Sequence, residues 1–116
     1  MKIMIVDDDV DILQLLEEIL KLKFPTIHVE VAKNGVEALN LIKENVGALP
    51  DVILSDMKMP VMGGNELCKL VREHYPAIKM ALMTAFKETS DCFAEVFFKP
   101  INFERLFSFL RSNWVE

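Results

Sequence analysis

Short apolar runs alternate along this chain with longer stretches whose apolar residues recur at helical spacing, and that alternation leaves few architectures open. Residues 3–6 are a continuous apolar run of strand type, followed by Asp7-Asp8-Asp9 and then by Val10, Ile12, Leu13, Leu16, Ile19 and Leu20 at helical intervals. Asp9 is placed to cap that helix, and Phe24-Pro25 stops it. Residues 27–31 alternate apolar with polar as a strand does, and Asn34-Gly35 marks the turn into a second helix through Val36, Ala38, Leu39, Leu41 and Ile42. After a break at 47–50, Asp51 enters a short buried strand over 52–54, with Asp56 at or just past its carboxyl end. Gly63-Gly64 makes a loop, Asn65 is a candidate cap, and Leu67, Cys68, Leu70 and Val71 form the stripe of a third helix ending near Tyr75-Pro76. Residues 78–83 and 95–98 read as a fourth and fifth strand. Asn102 caps a last helix carrying Phe103, Leu106, Phe107, Leu110 and Trp114. Strand and helix alternating in this way imply a parallel sheet with right-handed crossovers and helices on both faces.

One crossover is irregular. Only residues 84–94 join the fourth and fifth strands, close to the minimum of roughly 10–12 residues for a crossover with its helix. Thr89, Ser90 and Asp91 within it favour turns over helix interiors. The spacing predicts a shortened or missing fourth helix.

At 116 residues, with 52% hydrophobic and 27% charged, the chain has the size and composition of one globular domain. A formal net charge of -5 argues against direct nucleic-acid binding, because no basic surplus exists to replace counterions on phosphates. No apolar run approaches the ~20 residues of a membrane-spanning helix, and the apolar start is too short for a signal peptide, so the default expectation is the cytoplasm. Cys68 and Cys92 are far apart without a Cys-x-x-Cys partner and are expected as reduced thiols, one in a helix and one in a loop. His28 and His74 stand alone, the latter in the last turn of a helix where its partial charge suits the dipole.

Chemistry concentrates at one sheet edge. If the first and third strands are neighbours, Asp7, Asp8 and Asp56 converge there, and clustered carboxylates require protonation or a bridging cation. An all-oxygen set selects a hard ion; Mg²⁺ suits one or two carboxylates completed by water and phosphate oxygens. Lys99, held extended by Pro100, ends the fifth strand and can reach an anion at the same point, and Thr84 offers a hydroxyl from the end of the fourth. Taken singly, each of these is more often a cap, a turn or a surface residue.

The acidic pair after the first strand, Ser55-Asp56-Met57-Lys58-Met59-Pro60 followed by Met62-Gly63-Gly64, Met83-Thr84-Ala85, and Lys99-Pro100 together resemble the receiver domain of two-component response regulators. The resemblance covers the chain in order, as one receiver domain over 1–116 with no output domain. It implies a flavodoxin-like doubly wound five-stranded sheet of order 2-1-3-4-5. It also implies a phosphorelay switch rather than an enzyme: a histidine kinase or phosphotransfer protein would pass a phosphoryl group to Asp56. Asp7, Asp8, Asp56 and the backbone carbonyl of Lys58 match the family's Mg²⁺ ligands; Thr84, Ala85 and Lys99 match the phosphate-binding and switch positions. Output would pass through protein contacts to a downstream protein, with homodimerisation open.

The chain departs from the family at the fourth crossover, where the spacing barely permits the full helix that members carry, and at the switch aromatic. The switch aromatic usually found three residues before the lysine is Val96 here, and Phe97, one residue later, projects to the opposite face of a strand. Phe86, two residues after Thr84, stands with Lys58 where the family tunes dephosphorylation, and a large apolar ring there is expected to slow loss of the phosphoryl group. Seven phenylalanines fall between residues 86 and 109; core packing is expected of Phe98, Phe103 and Phe107, while Phe86, Phe93 and Phe109 are divided between packing and a partner patch. An aspartyl-phosphate hydrolase would resemble its families in carrying a second aspartate at position 58, where this chain has lysine. A phosphorylation-independent adaptor is the remaining alternative.

Overall fold

The computed structural model describes residues 1–85 and 90–114. Five strands, β1 (Lys2–Val6), β2 (His28–Ala32), β3 (Val52–Asp56), β4 (Lys79–Thr84) and β5 (Glu95–Phe98), pair in the order β2-β1-β3-β4-β5. All four pairings are parallel. Among the described residues four helices connect and cover them: α1 (Val10–Lys23), α2 (Gly35–Glu44), α3 (Gly64–His74) and α4 (Phe103–Asn113). This is the expected flavodoxin-like, doubly wound arrangement, and among the described residues no helix lies between β4 and β5.

Local chemistry sets the boundaries. The Asp9 carboxylate accepts from the amides of Asp11 and Ile12 at the start of α1, and Asn34 and Asn102 cap α2 and α4 through Glu37 and Arg105 amides. Asn65 does not cap α3. The helix starts at Gly64, two residues earlier than such a cap would place it, with Gly63 as its cap and no side-chain bond, and Asn65 in the first turn instead accepts the Ser90 hydroxyl at 2.7 Å.

Alternation along the strands splits the interior in two. Ile3, Ile5, Val52, Leu54, Met83 and Phe97 face α1 and α4, meeting Leu16, Leu20, Leu106 and Leu110. Met4, Val6, Ile53, Met80 and Leu82 face α2 and α3, meeting Ile42, Leu67, Cys68 and Val71. Among the described residues the crossover from β4 to β5 covers this second face with no helix, and Phe93 is buried there. Phe109 also packs, edge-on to Phe97 and to Trp114 at 5.5 Å in each case. Packing therefore accounts for both residues.

Phe98, expected in the core, is 52% exposed. The reason is the period of two: with Phe97 turned to the α1–α4 face, its neighbours Val96 and Phe98 point to the other. Arg105 closes over this strand from α4, donating to the Val96 carbonyl at 2.7 Å and to Glu95 at 2.6 Å with its guanidinium 4.5 Å from the Phe97 ring centre.

The cysteines are a second correction. Cys68 and Cys92 are joined in a disulfide that ties α3 to the chain returning from β4. A separation of 24 residues gives no sign of this; the crossover brings residues 90–94 back against α3.

Candidate functional site

The carboxyl ends of β1 and β3 lie side by side, with Val6 paired to Ser55, so the residues that follow each strand share one rim. Asp7 comes directly after β1 and is fully buried, its backbone amide bonded to the Ala32 carbonyl and its carboxylate accepting from the Asp9 amide at 2.9 Å. Asp8 is exposed. Asp56 ends β3 and accepts from the Met57 amide at 2.9 Å. One carboxylate oxygen from each of Asp7, Asp8 and Asp56 lies within 4.8 Å of the others.

Lys99, one residue beyond β5, reaches across two strands. Its Nζ lies 2.8 Å from Asp7 Oδ2 and 3.6 Å from Asp56 Oδ2. Burial pushes the Asp56 carboxyl above the usual aspartate value, the charge of Asp7 adds to this, and Lys99 and the Met57 amide pull the other way. Burial works to lower the Lys99 pKa, but the hydrogen bond and charge of Asp7, then of Asp56, hold it above the ordinary lysine value. The site is therefore a pair of competing carboxylates with one cation between them.

Thr84 ends β4 fully buried, and its carbonyl accepts from the Lys99 amide at 2.8 Å, so these two candidate residues are neighbours through the backbone. Ala85 follows it, exposed. Lys58 is exposed in the loop after β3. Val96, at the expected switch-aromatic position, is half-buried on the α2–α3 face, and Phe97 lies on the opposite one. Phe86 lies outside the described residues.

Sequence reading saw Gly63-Gly64 as a loop only. A Cβ at Gly64 would run into the Asp56 carbonyl oxygen, and one at Gly63 would come within 2.7 Å of the Met57 carbonyl. The amide of Gly64 donates to that same Met57 carbonyl at 2.9 Å, so a glycine pair lets α3 begin against the backbone of the acidic rim. Val61 in the same loop has a φ of 70°, a left-handed conformation that is costly for a β-branched residue.

The donor set fits a hard divalent ion. Three carboxylates close enough to share one cation, one of them exposed, match the one or two acidic ligands plus water that Mg²⁺ prefers.

The sequence profile of the response regulator receiver domain matches residues 3–111. The chain belongs to this family. Among curated relatives it is 35% identical over 89 residues to the transcriptional regulatory protein LnrK of Bacillus subtilis, covering 77% of this chain and 39% of that protein. It is 34% identical over 90 residues to the response regulator MprA of a Mycobacterium species, covering 78% of this chain and 37% of that one. The receiver thus spans under two-fifths of the length of these relatives. Among solved structures, the response regulator TrrA of Thermotoga maritima in complex with Mg²⁺ and BeF is 29% identical, with a TM-score of 0.80 and 96% of each chain covered. The N-terminal domain of an uncharacterised Wolinella succinogenes protein is also 29% identical, with a TM-score of 0.84 over 97% of this chain and 92% of that one. The family is that of two-component signalling. No helix among the described residues is long and apolar enough to cross a membrane.

Proposed function

We propose that this receiver is a phosphorylation switch whose acceptor is Asp56. The observation that carries the reading is the convergence of Asp7, Asp8 and Asp56 within 4.8 Å, with Lys99 Nζ between Asp7 and Asp56. Asp56 attacks the phosphorus of a phosphohistidine on a histidine kinase or phosphotransfer protein, forming an acyl phosphate as the histidine nitrogen leaves. The Met57 amide, bonded to Asp56 Oδ1, orients the carboxylate so that Oδ2 is the attacking atom. Lys99 sits 3.6 Å from that Oδ2 and balances charge gathering on the transferred group.

Asp7, Asp8, Asp56 and the Lys58 carbonyl would hold Mg²⁺, which when bound neutralises the phosphoryl oxygens. The Lys99 ammonium then exchanges part of its contact with Asp7 for the new phosphoryl oxygens. Thr84, with Ala85 beside it, senses the phosphoryl group through its hydroxyl, and Lys99 follows because their backbones are bonded. Lys58 and Phe86 stand at the sequence positions where the family tunes loss of the phosphoryl group, and a large apolar residue at 86 slows that loss. Val96 leaves the usual aromatic reporter out, so the signal passes instead through the chain between β4 and β5. Downstream action is by protein contact, with homodimerisation one form of it, in the cytoplasm and without direct nucleic-acid binding by this domain.

The test is incubation with acetyl phosphate and Mg²⁺ followed by intact mass. One phosphoryl adduct is expected, absent without the metal and absent in Asp56→Asn. Failure to label, or an adduct that persists in Asp56→Asn, overturns the assignment.

A further inference from the structure

Three attachments hold the chain that returns from β4 against α3. Ser90 donates its hydroxyl to Asn65 in the first turn, Arg72 donates to the Cys92 carbonyl at 3.4 Å in the last, and the disulfide joins Cys92 to Cys68 between them. The other end of the same stretch leaves Thr84 at the acidic rim, while α3 itself begins on the Met57 carbonyl, one residue past Asp56. The bridge therefore lies between two elements that both touch the site.

The two sulfurs differ in access. Cys68 is fully buried among Leu67, Val71 and Phe93, whereas Cys92 is half-buried and lines two adjoining open clefts of about 360 and 590 Å³. Lys69 and Arg72 border the larger one and supply positive charge beside Cys92, which favours an approaching thiolate, with Glu73 and Asp91 as the acidic groups on the same rim.

We propose that Cys68–Cys92 is a reversible redox latch: oxidised, it clamps residues 90–94 to α3; reduced, it frees them to follow Thr84 toward an occupied phosphoryl site. The coupling to phosphorylation rests on the phosphoacceptor reading above; the latch itself does not. A thiolate of a small thiol attacks Cys92 Sγ, the Sγ–Sγ bond breaks, and Cys68 leaves and is protonated. A second thiolate attacks the outer sulfur of the mixed disulfide, releasing Cys92 and a symmetric disulfide. Two thiols give up two electrons and two protons to the bridge, and both protein cysteines end as thiols. Reduced Cys68 remains a small apolar side chain in its pocket.

Phosphoryl occupancy and bridge reduction then favour each other, as linkage requires of two processes that share a conformational change. The full chain is equilibrated in mixtures of reduced and oxidised dithiothreitol, with and without Mg²⁺ and beryllofluoride, and the thiol fraction is read by alkylation and intact mass. The mixture that half-reduces the bridge is expected to need about threefold less reductant when the phosphoryl analogue is present. Amide exchange over residues 90–94 is expected to quicken about tenfold on reduction, and to be fast and insensitive to reductant in Cys92→Ser. An unchanged exchange rate, or no bridge at any mixture in a chain folded by circular dichroism, overturns the latch. An unchanged or oppositely shifted midpoint in a chain that acetyl phosphate labels overturns the coupling. Absence of labelling in both redox forms overturns the phosphoacceptor reading and the coupling built on it, and exchange alone then decides the latch.

Discussion

The two faces of the sheet solve the same covering problem with different materials. On the α1–α4 face, two full helices meet the strands and the aromatic residues interlock: Phe97 lies edge-on to Phe109, and Phe107 edge-on to Phe24 at 5.8 Å. On the α2–α3 face, the crossover from β4 to β5 contributes no helix among the described residues, and one buried ring, a disulfide and two side-chain bonds stand where a helix would. The first face is held by apolar area, which is insensitive to the redox environment. The second depends on a bond that a reductant can break.

The largest effect should come from cutting into the better-packed face. Phe97→Ala removes a ring that is 1% exposed and should cost about 4 kcal/mol, read by urea denaturation, with no dependence on reductant. Next comes the latch: reducing the wild type, or Cys92→Ser, should cost about 3 kcal/mol for a loop of 24 residues, and reductant should do nothing further to the variant. Equal sensitivity of both faces to reductant would erase the distinction.

The rim sharpens the contrast, since there the fold accepts a cost. The folded protein holds the Asp56 proton more tightly than the unfolded chain does, because its pKa is raised by burial and Asp7. Stability owed to Asp56 therefore falls as pH rises from the ordinary aspartate value of about 3.9 through the raised one. Without metal at pH 7, Asp56→Asn should gain about 1 kcal/mol, shrinking below pH 3.9 and narrowing when Mg²⁺ is added; thermal melts across pH measure it. Lys99 runs the opposite way, its raised pKa keeping its contribution intact below about 10.4 and losing it above, so alkaline melts should show that loss in wild type and not in Lys99→Met. The smallest effect belongs to Val61→Asn, which relieves a φ of 70° and should gain about 0.5 kcal/mol in the same melts.

Periodicity made the alternation of strands and helices legible, because helical spacing in α1 and α4 and the apolar runs in β1 and β4 are local. The rim was legible for a related reason: charges that follow apolar strands must surface together in a parallel sheet. What stayed hidden was tertiary. Nothing local distinguishes Cys68 and Cys92 from two unrelated thiols until the short crossover folds back on α3. Phe98 was misassigned because residues 96–98 are apolar on both parities, and only the packing of Phe97 decides which set faces inward. Asn65 looked like a cap because Asn usually is one, while Gly64 had to be the first helical residue to clear the Asp56 carbonyl.

The grip of Arg105 on β5 has a consequence for how copies of this domain meet. β5 is a terminal strand, and its free side is where another chain could add by backbone pairing. With the Val96 carbonyl already occupied and a guanidinium–carboxylate pair lying along the strand, an incoming backbone finds its acceptor taken and a charged barrier in its path. Strand-by-strand growth at this edge is thus discouraged by a single arginine.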